Sequence, residues 1–330
     1  MTNRNESHDS SIESNSIEKD SIEKIFMSAV IYVHNDGAYI EDFLRTVMEV
    51  VETGFEHSEI ICVNDYSNDA SVENLRRVGS KAKNTTVTVL NMSYFHGVEA
   101  AMNAGVDLAI GDFVLEFDSV LLDFPKEEIM RVYKKSLEGY DIVSASPDKK
   151  QRFTSDIFYR VFNRAAGFSY KLYSERFRVL SRRVINRISS MNKSVPYRKA
   201  VYANCGLKTA NIRYSPTEQS RENTDRAERR YRTDLAIDSM ILFTGIGYKF
   251  SVAMTIAMMC IAIAVAIYSA VIYIFSTPVA GWTTTIFFMS FAFFALFGIL
   301  TIIIRYLQIL VDLVFRRKKY SFESIEKISG

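Results

Sequence analysis

An uncharged apolar stretch near the carboxyl terminus is the feature that most constrains the fold of this chain. No charged residue occurs from Ser251 to Ile304. Pro278 and Gly281 interrupt the stretch and leave two segments, SVAMTIAMMCIAIAVAIYSAVIYIF and WTTTIFFMSFAFFALFGILTIII. Each is long enough to cross about 30 Å of hydrocarbon as a helix. We therefore predict two transmembrane helices within residues 251–304, and the alternative is a hairpin buried in a soluble core.

Basic residues flank this stretch on both sides, whereas the short connection STPVAG carries no charge. The flanking basic residues are Arg226, Arg229, Arg230, Arg232 and Lys249 before the stretch, and Arg305, Arg316, Arg317, Lys318 and Lys319 after it. The positive-inside rule places both flanks in the cytoplasm. The amino-terminal residues also lack the basic-then-apolar pattern of a signal peptide. The sequence thus predicts a multi-pass protein of the cell (inner) membrane with both termini cytoplasmic.

Three further segments differ from the rest of the chain in composition. Residues 1–24 are rich in Ser, Asn and Glu and have no apolar period, so we expect a disordered tail. Residues 216–250 are predicted to form juxtamembrane amphipathic helices, because IDSMILFTGIG has an apolar face suited to the membrane surface. Residues 305–330 are predicted to form a cytoplasmic carboxyl-terminal segment.

Apolar runs of strand length alternate with amphipathic helical stretches between residues 25 and 145. The predicted strands are IFMSAVIYV, EIICVN, TVTVLN, DFVLEF and DIVSA, and the predicted helices are AYIEDFLRTVMEVVET, ASVENLRRVGS, VEAAMNAGVDLAI and KEEIMRVYKKSLE. Regular alternation of this kind predicts an α/β fold with a mostly parallel sheet covered by helices on both faces. We assign this domain to residues 25–215.

Polar loops with acidic residues follow three of the predicted strands, at residues 34–37, 64–69 and 118–123. Any one loop is explained by a turn or a helix cap. Three such loops at the carboxyl edge of one sheet favour a bound cation or a hydrogen-bonding ligand, because clustered carboxylates otherwise repel. Glu116 lies two residues before Asp118, so both side chains point to the same face of a strand. Glu116 is then either a second metal ligand or the partner of a helix cap or of a basic residue across the sheet.

The order of these segments resembles the polyprenyl-phosphate sugar transferases of glycosyltransferase family 2, a group similar to dolichyl-phosphate mannose synthase and the bacterial undecaprenyl-phosphate glycosyltransferases. The likeness covers about residues 25–323 and rests on AVIYVHND, EIICVNDYSND, FHGVEAAMNAG, GDFVLEFDSVLLDFP, FRVLSRR, the two-helix hairpin and RYLQILVDLVFRRKKYSF. It implies a Rossmann-like GT-A domain followed by a transmembrane hairpin. It also implies inverting transfer of a sugar from a UDP- or GDP-linked donor to a polyprenyl phosphate at the cytoplasmic membrane face, for cell-surface glycan synthesis.

The resemblance assigns five nucleotide-binding residues. Asn35 and Asp36 match an Asn-Glu pair that contacts the nucleotide. Asn64, Asp65 and Ser67 fall on an Asp-Asp-Gly-Ser loop that lies at the base and ribose.

The resemblance also assigns the catalytic residues Asp118, Asp123 and Arg178. Asp118 matches the first acid of an Asp-Ala-Asp metal motif, Asp123 the acid of a Gln-Asp-Pro segment, and Arg178 an arginine that meets phosphate. We expect Asp118 to be the principal ligand of Mg²⁺ or Mn²⁺, with Glu116 or Asp123 in support.

The chain departs from the family pattern at Asn64, Tyr66, Val120 and Leu122, where the family has an acid, a glycine, the second metal acid and a glutamine. One or two carboxylates are enough for Mg²⁺ when phosphate oxygens and water complete its shell. A lipid phosphate is already an anionic nucleophile, so no general base is required. Two rival interpretations remain: a degenerate transferase domain that serves as a scaffold, and a transferase that acts on an acceptor hydroxyl. We expect membrane contact and no nucleic-acid partner, and homo-oligomerisation through the hairpin is left open.

Overall fold

The computed structural model describes residues 22–148, 153–165, 171–190, 197–217, 230–231, 233–236, 239, 246–275, 281–314 and 320–329. In chain order, the elements are β1 Glu23–Val33, α1 Ile40–Gly54, β2 Phe55–Asn64, α2 Ser71–Gly79, β3 Thr85–Met92, α3 Val98–Leu108, β4 Phe113–Phe117, α4 Glu127–Leu137, β5 Ile142–Pro147, α5 Phe153–Ala165, β6 Phe177–Ser181, α6 Arg182–Ser190, α7 Arg198–Ala203, β7 Thr209–Tyr214, α8 Ile246–Phe275, α9 Trp282–Val314 and β8 Phe322–Ser329.

One sheet runs through the globular part of the described chain, with the strand order β7-β5-β6-β4-β1-β2-β3-β8. β1 pairs in parallel with both β2 and β4, and β2 pairs in parallel with β3. β6 runs antiparallel to β4 and β5, and β8 runs antiparallel to β3. The strand order reverses at β1, which is the point where sheets of this kind bind ligands. The prediction of an α/β fold with a mostly parallel sheet is confirmed.

The two faces of the sheet carry separate apolar cores. Alternate residues of β1 point to opposite faces, so that Ile31 packs beneath α1 and α4 while Val30 packs beneath α3 and α6. Phe43 of α1 and Met102 of α3 are fully buried in these two cores. Burial of a large apolar side chain contributes about 1.5 to 3 kcal/mol. The helices are therefore held on the sheet by apolar side chains that recur every two residues in the strands and every 3.6 residues in the helices, and both periods are visible in the sequence.

The chain returns to the sheet after the second apolar helix. β8 pairs with β3, and the guanidinium of Arg76 in α2 donates two hydrogen bonds of 2.9 Å to the carboxylate of Glu326. The hydroxyl of Tyr320 donates to Asp107 in α3 at 2.5 Å. The sequence analysis assigned no strand to this segment. Because β7 and β8 belong to one sheet, both ends of the apolar helix pair connect to the same globular body.

α8 and α9 form an antiparallel pair of long apolar helices. Val252–Phe275 and Trp282–Leu307 have mean hydropathies of 2.4 and 2.6, and both are long and apolar enough to cross a membrane. Only 11% and 6% of the most apolar part of each is buried, which argues against a hairpin in a soluble core. The hydroxyl of Thr301 donates to that of Thr255 at 3.1 Å and joins the two helices.

The predicted amino-terminal tail and the predicted juxtamembrane segment lie mostly outside the described residues. β1 begins at Glu23, which pairs with Phe55 of β2, so the strand includes the last two residues of the predicted tail. Residues 1–21 of that tail lie outside the described residues. Most of the predicted juxtamembrane segment, residues 216–250, also lies outside them, and its amphipathic helices stay a prediction.

The packing of β8 predicts unequal effects from one substitution at two positions. Ile328 packs on the core beside Gly79, whereas Ile325 is 48% exposed. We expect Ile328→Asp to destabilise the globular part by about 2 kcal/mol, because a carboxylate would replace a partly buried apolar group. Ile325→Asp is the matched control and leaves stability nearly unchanged. Thermal unfolding of the detergent-solubilised chain measures both, and equal shifts would show that β8 is not packed as described.

Candidate functional site

The loops that follow β1 and β2 are joined by reciprocal hydrogen bonds. The backbone N–H of Asn35 donates to the hydroxyl of Ser67 at 3.1 Å, and the side-chain oxygen of Asn35 accepts from the N–H of Asn68 at 2.9 Å. The N–H of Asp36 donates to the hydroxyl of Ser71 at 2.8 Å. Asn64 accepts from the N–H of Ser67 at 3.0 Å and donates to Asn91 of β3 at 2.9 Å. Four of the five predicted nucleotide-binding residues therefore lie in one network at the carboxyl edge of the sheet.

The fifth, Asp65, is fully buried and anchors the start of α3. Its two carboxylate oxygens accept the backbone N–H groups of His96 and Gly97, each at 2.8 Å, and the hydroxyl of Tyr32 at 3.1 Å. Burial raises its pKa despite these donors. Gly97 has a φ of 82°, and the ring of Tyr231 packs against it with no room for a Cβ. Asp65 thus holds a tight turn, and nucleotide contact by this residue stays a prediction.

Tyr66 occupies a position that favours glycine. Its φ of 59° lies in the left-handed region, where a side chain costs about 1 kcal/mol or more. Its side chain is exposed. The backbone shape therefore explains why the related pattern has glycine here, and the substitution places an exposed aromatic ring in the loop after β2.

Two buried arginines enclose the carboxylates at the end of β4. Arg178 lies in β6 directly across from Glu116 of β4, and Arg198 begins α7. Arg178 donates to Glu116 and to Asp118, each at 2.7 Å. Arg198 donates to the second oxygen of Glu116 at 2.9 Å and to the second oxygen of Asp118. The four side chains therefore form a closed ring, and Glu116 has the basic partner across the sheet that was one of its two interpretations.

Further carboxylates complete the coordination of both arginines. The Nε of Arg178 donates to Glu175 at 3.1 Å. Both the Nε and the backbone N–H of Arg198 donate to Glu99 of α3, at 3.0 and 2.8 Å. The hydroxyl of Tyr202 donates to Glu116 at 2.8 Å. We call these seven side chains the arginine cluster: Glu99, Glu116, Asp118, Glu175, Arg178, Arg198 and Tyr202.

The charged groups of the arginine cluster change one another's pKa values. Burial alone would raise the pKa of Asp118, but the charges of Arg178, Arg198 and Lys199 outweigh it and lower that pKa well below its ordinary value. Burial raises the pKa of Glu99 although Arg198 lies against it. The facing carboxylates outweigh burial for both arginines and raise their pKa values, so both guanidinium groups stay charged.

Asp123 is separate from the arginine cluster. Arg176 donates to both of its oxygens, from Nε at 2.8 Å and from a terminal nitrogen, and the hydroxyl of Tyr214 donates at 3.2 Å. Asp123 thus ties the loop after β4 to β6 and β7. In this arrangement its carboxylate is committed to Arg176, and its predicted catalytic role stays a prediction.

The fit of a divalent cation depends on free carboxylate oxygens. Both oxygens of Glu116 and both oxygens of Asp118 accept hydrogen bonds from guanidinium groups. Within the described residues, no group of three His, Cys, Asp or Glu side chains is arranged to hold a metal. Val120, where the related pattern has a second acid, is buried in the apolar core. The residues at the end of β4 therefore do not fit Mg²⁺ or Mn²⁺ in this arrangement.

Sequence reasoning missed Arg198, Glu99, Arg176 and Glu175. Arg198 lies in a six-residue helix with no motif around it, and its partners are 80 or more residues away in the chain. Glu99 is the second residue of α3, and an acid in the first turn of a helix is so common that it gave no signal of burial. Arg178 was predicted, but all its paired nitrogens face carboxylates, so its contact with phosphate stays a prediction.

Comparison with known proteins gives one family for the sheet domain. The model of the family described as "Glycosyl transferase family 2" matches residues 28–193. An uncharacterised glycosyltransferase of Synechocystis is 32% identical over 56% of this chain and 59% of its own length. An undecaprenyl-phosphate 4-deoxy-4-formamido-L-arabinose transferase of Pseudomonas syringae is 31% identical over 49% of each chain. The matched part thus spans less than two thirds of these relatives.

A solved structure supports the fold. Glucosyl-3-phosphoglycerate synthase from Mycobacterium tuberculosis, crystallised with Mn²⁺, UDP-glucose and phosphoglyceric acid, superposes with a TM-score of 0.50. The superposition covers 67% of this chain and 80% of that one, at 14% identity. At this identity the likeness concerns the fold alone.

The arginine cluster predicts a large cost for the loss of one arginine. Arg198→Met leaves buried Glu99 without its cation and removes one of the two guanidinium partners of Glu116 and Asp118, so we expect a loss of about 3 to 5 kcal/mol. Arg183→Met is the matched control, because Arg183 is 69% exposed and lies 3.7 Å from Asp141, a geometry worth about 1 kcal/mol or less. Denaturant unfolding of the solubilised chains measures both, and a small loss for Arg198→Met would contradict the described pairing.

The lowered pKa of Asp118 predicts a pH-dependent difference in stability. The folded chain binds the Asp118 proton more weakly than the unfolded chain, so the ionised carboxylate stabilises the fold above its unfolded pKa of about 3.9. This contribution is lost as the pH falls below that value. We expect the stability gap between the wild type and Asp118→Asn to be largest near neutral pH and to shrink below about pH 4. A gap that stays constant across that range in thermal unfolding would refute the assignment.

Proposed function

This chain belongs to glycosyl transferase family 2, and we propose that it transfers a sugar from a UDP- or GDP-linked donor to a polyprenyl phosphate. The reaction takes place at the cytoplasmic membrane face with inversion at the transferred carbon, and it serves cell-surface glycan synthesis. The observation that carries the proposal is the exposed apolar helix pair. The chain leaves the sheet after β7, forms this pair, and returns to the sheet as β8. A relative named for undecaprenyl phosphate supports the class of acceptor.

The helix pair explains why the acceptor is a lipid. A long polyprenyl chain stays in the bilayer, so the transferase domain has to lie at the membrane surface to reach the phosphate. α8 and α9 have the length and hydropathy to anchor it there. Since β7 precedes and β8 follows the pair in one sheet, two crossings would return the chain to the side from which it left. Basic residues on both flanks favour the cytoplasmic side for this domain and for both termini.

Donor binding is assigned to the network of loops after β1 and β2. Asn35 and Ser67 are partly exposed at the carboxyl edge of the sheet, next to the reversal of strand order at β1, and the buried side chain of Asn64 accepts the backbone N–H of Ser67. Hydrogen bonds between the two loops hold these groups in place before the donor arrives, which lowers the entropy cost of binding. The exposed ring of Tyr66 adds a surface for stacking on a base.

The acceptor requires orientation and no proton acceptor. A lipid phosphate is an anion near neutral pH, so its oxygen attacks the donor sugar without general-base catalysis. The departing diphosphate gains negative charge in the transition state and needs nearby positive charge. Arg178 and Arg198 of the arginine cluster lie at this edge of the sheet, and Lys199 follows Arg198 in α7. The expectation of Mg²⁺ or Mn²⁺ at Asp118 is not part of this proposal, because its oxygens face arginines.

A second function is favoured by one specific observation. The arginine cluster is closed, with every paired nitrogen of both arginines on a carboxylate, and such a cluster also suits a sheet that is retained only as a scaffold. A catalytically degenerate subunit would keep this fold and bind no donor.

Transfer to lipid separates the two functions. We expect membranes that contain the chain to form a labelled lipid from one of a panel of radiolabelled UDP- and GDP-sugars when polyprenyl phosphate is supplied. Polyprenol is the matched control, because it has the same chain and lacks the phosphate nucleophile. Label in the polyprenol reaction would indicate a hydroxyl acceptor, and no label with any donor would favour the scaffold.

A further inference from the structure

We propose that the guanidinium groups of Arg178 and Arg198 take the place of a divalent cation at the end of β4, so that this chain binds its donor without a metal ion. The inference rests on the proposed function in one respect only, namely that this edge of the sheet is the donor site. Metal binding is measured without any transfer, so the two proposals fail separately.

The geometry of the ring leaves Asp118 with arginine partners on both oxygens. One oxygen accepts from Arg178 at 2.7 Å and the other accepts from Arg198. Glu116 lies two residues earlier, and it likewise accepts from Arg178 on one oxygen and from Arg198 on the other. Each guanidinium group thus bridges the two carboxylates, and hydrogen bonds between ionised groups are roughly twice as strong as neutral ones. Each of the two carboxylates therefore already has a guanidinium group on both oxygens at the position where a cation would bind.

The placement of the two guanidinium groups opposes a dication at Asp118, because they cover both of its oxygens, whereas Glu99 and Glu175 lie against other nitrogens of the same arginines. A metal bound to an oxygen of Asp118 would lie within a few ångströms of the guanidinium groups of Arg178 and Arg198, and a guanidinium group is always charged in proteins. Like charges at such separations repel strongly in a partly desolvated site. To admit the metal, Arg198 would have to leave Glu99, Glu116 and Asp118 together. Withdrawal of one partner from a buried ion pair is strongly destabilising, so metal binding would have to offset that loss.

The missing second acid agrees with this assignment. Val120 is 2% exposed and packs in the apolar core with Phe117 and Phe124, so it neither supplies an oxygen nor leaves a gap for one. The chain has lost one metal-ligand position and has an arginine on each oxygen of the other. Both changes lower the need for, and the affinity for, a divalent cation.

Binding of Mn²⁺ tests the inference directly. The solubilised full chain is titrated with Mn²⁺, and free Mn²⁺ is read by electron paramagnetic resonance, with and without UDP or GDP. Nucleotide without protein is the reference, because a diphosphate binds Mn²⁺ by itself. We expect no protein-dependent binding beyond this reference. Saturable binding of one Mn²⁺ per chain that Asp118→Asn removes would overturn the inference.

The variant Arg198→Met tests whether the guanidinium group excludes the metal, because its loss should increase Mn²⁺ binding. Arg198→Met frees an oxygen on Glu99 and on Asp118, so the folded variant is expected to bind Mn²⁺ at least about tenfold more tightly than the wild type. Arg183→Met, which alters an exposed arginine, leaves the affinity unchanged. If folded Arg198→Met gains no binding, the guanidinium is not what excludes the metal and the inference is wrong. If Arg198→Met does not fold, the wild-type titration still decides.

The outcomes of this test and of the transfer assay are independent. A wild type that binds no Mn²⁺ and transfers sugar equally well in a chelator supports both proposals. A wild type that binds no Mn²⁺ and transfers nothing refutes the function, and with it the donor at this edge, but it leaves standing the assignment of arginines to the position of the metal.

Discussion

Two buried arginines pair with the carboxylates at the end of β4, and four elements meet at that point. Arg178 comes from β6, Arg198 from α7, Glu99 from α3, and Glu116 and Asp118 from β4 and the residue after it. Charges this deep in a protein are stable only when each is paired, so the positions of these elements depend on one another. The start of α3 is also held by Asp65, through Gly97, which links the arginine cluster to the loops after β1 and β2.

The sequence predicted the first half of the sheet domain well because that half has regular periods. Five strands and the four helices between them occur where apolar runs and amphipathic stretches alternate. β8 was missed because its outward residues are exposed and its pairing partner, β3, lies more than 200 residues earlier. An edge strand with few buried side chains has no strong period of its own, and its place is decided by an open sheet edge that local sequence does not reveal.

The sequence predicted that the candidate site lies at the carboxyl edge of the sheet, but it did not predict that arginines pair with the carboxylates there. The carboxyl ends of parallel strands meet at one edge, so Asn35, Asn64 and Asp118 could be assigned there from the order of elements alone. The pairing of Asp118 with Arg178 and Arg198 depends on β6 and α7, and α7 carries no recognisable pattern. Whether a carboxylate faces a metal or an arginine is set by such distant partners. The motif at residues 116–123 is therefore compatible with either a metal or an arginine as the partner of its carboxylates.

Structure determination in the presence of UDP or GDP and Mn²⁺, with manganese located by its anomalous scattering, tests the account most directly. The account predicts nucleotide density at the loops after β1 and β2. It also predicts that Arg178 and Arg198 remain paired with Asp118 and that no manganese lies on that carboxylate. A manganese peak about 2.1 Å from an oxygen of Asp118, with Arg198 displaced, would contradict it.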